Sequence, residues 1–207
     1  MYKGFSQYMV NIVDKEFAIR KKAAQVHADV NQHYDEKPYF YHLNKVACHV
    51  ISYLPFIVDK EEDILPVLFG AYFHDSIEDA RLTYNDVKKI AEEYMSKEQA
   101  LMAAEIVYAL TNEKGRNRHE RANEKYYKGI RETFYAPLVK ACDRLANYNY
   151  AKLTQSKMVK CYENEMDEFI TAISPQDETE YPGVIEIDKR FTIPDELVAE
   201  LKKKNGI

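Results

Sequence analysis

Residues 69–80 read FGAYFHDSIEDA. His74, Asp75, Glu78 and Asp79 follow directly on an apolar run. Placed on a helix, His74 and Glu78 lie four apart on one face, and Asp75 and Asp79 repeat that spacing one step round. The four polar groups then form a stripe beside the core positions Leu68, Ala71 and Tyr72. A carboxylate at a core margin is strongly unfavourable unless it is paired or bound to a metal. A divalent cation removes that penalty and takes a neutral imidazole as a ligand.

Outward from this stretch the helical period dominates. Ile19, Ala23, Val26 and Val30 step by four, three and four residues, and Leu43, Val46, Ala47, Val50, Ile51 and Leu54 form a full apolar stripe. Val87, Ile90, Ala91 and Tyr94 make another, opened by Thr83 and Asp86 as a capping box; Ser96 with Gln99 offers a second box before ALMAAEIVYAL. Pro137 reads as the first position of a helix carrying Leu138, Cys142 and Leu145. Val159, Tyr162, Met166, Phe169 and Ile173 close the series. The one Asn-Gly pair, at 205–206, lies in the tail rather than between alternating strands, so no hairpin is expected. The pattern predicts an all-α fold, a compact bundle of about seven to nine helices over residues 1–173. Beyond it, SPQDETEYPG reads as a linker, VIEI (184–187) as a short strand, and Pro194 as the start of a last short helix. This tail, 174–207, is expected to pack on the domain or to meet a second copy in a homo-oligomer.

Hydrophobic residues make up 46% of the chain, enough for a packed core, and charged residues 30%. No apolar stretch reaches the roughly 18 residues of a membrane span. The opening MYKGFSQYMV lacks the basic-then-apolar layout of a secretory signal, so a cytoplasmic protein is expected. Cys48, Cys142 and Cys161 are odd in number and form no C-x-x-C pair, which reads as small buried side chains rather than a disulfide or thiolate frame. A net charge of −5 disfavours nucleic acid as a partner but leaves room for an anionic small molecule on a local basic patch.

Two further stretches carry chemistry. PYFYH places His42 at the start of an apolar helix, and VKACDRLANYN places Asp143 opposite Leu138, Cys142 and Leu145. Lys140 and Asn147 lie three before and four beyond Asp143, on its side of the helix. Each residue alone reads as a capping histidine or a salt-bridged acid. Together with His74 and Asp75, two histidines and two aspartates form a mixed nitrogen and oxygen set. Such a set suits Mn²⁺, Fe²⁺ or Zn²⁺ better than a structural zinc site, which favours thiolates. Four protein ligands on a six-coordinate ion leave room for water and a phosphate oxygen.

The ordered segments PYFYH (Pro38 to His42), HDSIED (His74 to Asp79) and DRLAN (Asp143 to Asn147), with AAQVH ending at His27 upstream, resemble the HD-domain metal-dependent phosphohydrolases. Within that group the chain is similar, over about residues 15–170, to the hydrolase domain of RelA/SpoT-type alarmone enzymes and their small stand-alone relatives. The resemblance implies one divalent ion, Mn²⁺ foremost with Fe²⁺ or Zn²⁺ as alternatives, held by His42, His74, Asp75 and Asp143. It implies that Glu78 and Asp79 orient or deprotonate the attacking water and that Asn147 contacts the substrate. The implied reaction removes pyrophosphate from the 3′ position of guanosine tetra- or pentaphosphate. Hydrolysis of a different nucleotide, or nucleotide sensing without turnover, are the alternatives.

The chain departs from the family pattern before PYFYH. The family carries an Arg-Lys pair there, the arginine stacking on guanine; here the stretch is NQHYDEK, where His33 or Tyr34 can offer an aromatic face instead. Leu43 follows His42 where proline is common, and Ala146 replaces a frequent histidine. Between the second and third motifs, TNEKGRNRHERANEK supplies Arg118 and Arg121 as candidates for the distal phosphates, which an arginine fork can bind bidentately. Lys140 adds a further cation for the anionic chain. His49 and His119 read as surface residues, and His27 as a core histidine or one that backs a site residue.

Overall fold

Helix α3, Glu61–Phe73, runs through the middle of the molecule, with every residue from Asp63 to Phe73 buried. The computed structural model describes residues 4–175 and 187–203. A helix apolar on all sides has to be surrounded, and α3 packs against α1 (Phe5–Ala28), α2 (Phe40–Tyr53) and α5 (Lys97–Leu110). The described residues add α4 (Tyr84–Ala91), a single turn α6 (Arg118–Arg121), α7 (Glu124–Arg131), α8 (Ala136–Leu153), α9 (Met158–Ile173) and α10 (Asp195–Leu201). They therefore contain nine α-helices of seven residues or more, and the fold is all-α.

Both capping boxes are present. Thr83 and Asp86 open α4, and Ser96 and Gln99 open α5. Gln99 also repairs α3. Pro66 sits inside α3 and has no N–H, so the Glu62 carbonyl lacks its usual helical donor. Gln99 Nε2 donates to that carbonyl at 2.7 Å. Further along, α3 and α5 approach closely at Gly70, where a Cβ would stand 2.6 Å from Ile106 Cγ2. Ile106 is β-branched and fully buried, so it cannot swing away cheaply. Gly70→Ala is therefore expected to destabilise. Overpacking of about 1–3 kcal/mol exceeds the roughly 1 kcal/mol that alanine gains over glycine in a helix. The melting temperature should fall by about 2–4 °C per net kcal/mol, and an unchanged or raised value would show that the contact has slack.

Several sequence expectations need correction. Helix α3 stops at Phe73 and does not run through His74–Asp79. The His74 Nδ1–H takes the Ala71 carbonyl at 2.9 Å, the group that the Asp75 amide would bond in a continuing helix. Tight turns follow, with the Ser76 amide on Phe73 O and the Asp79 amide on Asp75 O, and the segment closes at Arg81 with φ 61°. Val30 lies past the end of α1 and is exposed. A short antiparallel hairpin pairs His33–Tyr34 with Lys37–Pro38, its turn made by Asp35 at φ 52°. Aspartate tolerates that left-handed region without glycine. Of the cysteines, Cys142 is buried but Cys48 is exposed.

In the tail, the expected strand at 184–187 lies outside the described residues except for Ile187. The short helix after Pro194 is present as α10 and rests on α8, burying Leu197 and Leu201. The Arg190 carbonyl accepts the Tyr135 amide at 2.6 Å, beside the start of α8. No helix among the described residues is long and apolar enough to cross a membrane.

Candidate metal centre

Three helices deliver side chains to one point. His42 is the third residue of α2, His74 and Asp75 follow the end of α3, and Asp143 projects from the middle of α8. His42 Nε2 and His74 Nε2 are 3.3 Å apart. Asp75 Oδ2 lies 2.9 Å from His74 Nε2 and 3.6 Å from His42 Nε2. Asp143 Oδ1 lies 3.2 Å from His42 Nε2 and 3.8 Å from His74 Nε2. The ligand atoms of His42, His74 and Asp75 all fall within 4.8 Å of one another, and both histidines are buried.

This donor set fits a divalent cation. His74 Nδ1–H donates to Ala71 O, so when the ring is neutral its Nε2 lone pair faces inward. Two imidazole nitrogens and two carboxylate oxygens converge, and a divalent cation would offset the carboxylate charge. Ligands about 2.1 Å from a common ion stand about 3.0–3.4 Å apart in octahedral or tetrahedral sites, and most of the observed separations fall near that range.

The surroundings tune each group. Burial alone would depress the His42 imidazole, but hydrogen bonds and charge from Asp143 and Asp75 carry its pKa up to about 9 in the metal-free chain. His74 is also raised, Asp75 outweighing burial. Burial pushes the Asp75 carboxyl up, yet the two histidines hold it well below its ordinary value. Asp143 is likewise held low against burial, chiefly by Lys140, whose Nζ donates to Asp143 Oδ2 at 3.0 Å. Burial raises Glu78 above its ordinary carboxylate value, opposed by the bond from Asn112 Nδ2 to its Oε1 at 2.9 Å. Asp79 is raised by burial too, opposed by Tyr39.

The remaining sequence candidates divide. Asn147 Nδ2 donates to Asp143 Oδ1 at 2.6 Å, and its Oδ1 accepts from the Tyr34 hydroxyl at 2.7 Å. Tyr34 reaches the centre, but its ring lies on His42, with centroids 4.8 Å apart and planes 15° apart. It therefore covers a ligand rather than presenting that face to a base. His33 turns away, its Nδ1 on the Asn31 carbonyl at 2.9 Å. Arg121 is exposed on α6, and among the described contacts none joins it to the cluster. The Arg118 and His119 side chains lie outside the described residues. Arg144 does not pair with Asp143; it bonds Glu165 at 3.3 Å and lies over the Phe169 ring.

Three contributors were not singled out from sequence. Tyr39 donates to Asp75 Oδ2 at 2.5 Å, and its place inside PYFYH was the available signal. Tyr126 lies under Lys140, with Nζ 5.7 Å from its ring centre, and Asn112 anchors Glu78. Neither of these two has a sequence signature, since both act across the fold. Beside His42 opens a cleft of about 330 Å³, lined by Tyr34, Tyr41, Lys45, Asn149 and Tyr150 among others. Comparison with protein-family models, with curated proteins and with solved structures returns no match for this chain.

Proposed function

We propose that the chain is an HD-type metal-dependent phosphohydrolase acting on a phosphorylated nucleotide. Guanosine 3′,5′-bis(diphosphate), cleaved at its 3′-pyrophosphate, is the first substrate to test. The observation that supports this reading is the convergence of His42 Nε2, His74 Nε2, Asp75 Oδ2 and Asp143 Oδ1 from three helices. His42, His74, Asp75 and Asp143 would hold a divalent ion, Mn²⁺ the first choice, which when bound would lower the pKa of a water and offset phosphoryl charge. Glu78 and Asp79, held above their ordinary carboxylate values, would between them orient the attacking water and accept its one proton. Lys140 stays charged within the centre and offsets the negative charge that accumulates there. The cleft beside His42 offers tyrosine faces to a nucleobase.

A different base is the second reading. The stretch before PYFYH has no arginine, and the cleft wall is aromatic, with Lys45 beside Tyr41. The test is a product assay with added Mn²⁺ on guanosine tetraphosphate alongside other nucleotides. Turnover of only a non-guanine compound keeps the mechanism and discards the alarmone substrate. A metal-loaded protein that releases neither phosphate nor pyrophosphate from any of them favours a sensor. Glu78→Gln and Asp79→Asn are each expected to retain the metal and to lose about 10²- to 10⁴-fold in turnover. Metal content measured beside the rate separates that outcome from simple loss of the ion.

A further inference from the structure

Tyr39 stands where three parts of the centre meet. It immediately precedes α2, and its carbonyl accepts the His42 amide at 2.9 Å. Its hydroxyl donates to Asp75 Oδ2 at 2.5 Å. Its ring lies flat on His27, with centroids 4.8 Å apart and planes 11° apart. His27 is almost fully buried on α1, a helix that supplies no ligand, and its Nδ1 is fixed on the Ala23 carbonyl at 3.0 Å.

A carboxylate turns easily about its last bond, and either oxygen can face a cation. Each oxygen has two lone pairs. A phenol that occupies one pair of Asp75 Oδ2 directs the other toward His42 and His74. We infer that Tyr39, seated on the face of His27, is a positioning residue: it fixes how Asp75 meets the cation. This rests on the metal-centre reading above. Outer hydrogen-bond partners of metal ligands typically change metal affinity about 10- to 100-fold when removed. The contribution of His27 is its flat face. Its buried Nε2 has no partner among the described residues, so a phenyl ring in its place retains what matters.

The test uses the full chain stripped of metal. Mn²⁺ is titrated into wild type, Tyr39→Phe, His27→Phe and His27→Leu, read by calorimetry and by the Mn²⁺ electron paramagnetic resonance spectrum. Tyr39→Phe should bind about 10- to 100-fold more weakly, with an altered spectrum and an unchanged helical circular dichroism signal. His27→Phe should bind like wild type, whereas His27→Leu should lose about tenfold. Wild-type affinity and spectrum in Tyr39→Phe overturn the inference while leaving the metal centre intact. A wild-type chain that takes up no Mn²⁺ overturns the metal-centre reading instead. If Tyr39→Phe loses its helical signal, the His27 pair carries the test: equal affinity in His27→Leu and wild type overturns the inference.

Discussion

On the proposed function, Asp75→Ala is expected to abolish tight metal binding and to lower phosphohydrolase turnover by at least about 10³-fold, equivalent to about 4 kcal/mol of transition-state stabilisation. Asp75 is the carboxylate closest to His74, at 2.9 Å, and the one tied to Tyr39. Asp143 cannot replace it, because Lys140 already offsets its charge. Without Asp75, two imidazoles 3.3 Å apart share a single shielded carboxylate. A divalent ion then loses a ligand and half of the negative charge that attracts it. Metal content by mass spectrometry and product release by chromatography check both parts. A variant that retains one metal per chain and turns over within tenfold of wild type would remove Asp75 from the ligand set.

Metal removal should invert the alkaline limb of the stability profile. In the metal-free chain the His42 pKa stands at about 9, above its ordinary value near 6.5. A raised folded-state pKa contributes stability that is fully present below about 6.5 and is lost as pH climbs through about 9. The shift corresponds to about 3 kcal/mol, and raised His74 acts in the same direction. On the acid side, depressed Asp75 and Asp143 contribute stability that is present above their ordinary values and lost as pH falls. The metal-free protein should therefore be most stable between about pH 4 and 6.5. With Mn²⁺ the alkaline loss disappears, because the ion needs neutral imidazoles and binds more tightly as they lose protons. Melting temperatures with and without Mn²⁺ at pH 6, 7.5 and 9 (about half a His42 titration apart on the last step) should diverge as pH rises. A metal-free profile flat from pH 6.5 to 9 would contradict the proposed proton sharing.

Much of the fold is written in local pattern. The apolar stripe from Leu43 to Ile51 lies on α2, with Leu54 just past its end, and both capping boxes opened the helices they announced. Local pattern failed where a side chain overrode the backbone. His74–Asp79 has helical spacing, yet the His74 ring takes the carbonyl that would extend α3. The hairpin at His33–Pro38 was missed because Asp35 adopts the turn conformation without the glycine that usually signals it. At the centre, spacing identified the residues that converge but not what holds them. Tyr39, Asn112 and Tyr126 act through contacts 36, 34 and 14 residues away in sequence, which no periodicity records. The same holds for Tyr34, whose aromatic face is turned to His42 by its bond to Asn147.

The proline in α3 has a consequence far from where it sits. By freeing the Glu62 carbonyl it gives Gln99 a fixed mooring, and thirteen residues later Asn112 grips Glu78. α5 is thus a spacer, about 20 Å long at 1.5 Å per residue, held through Gln99 in its first turn and Asn112 just past its end, and its length sets where Glu78 stands. Adding or deleting one residue within it would swing Asn112 by roughly 100° about the helix axis and release Glu78, with every ligand still in place.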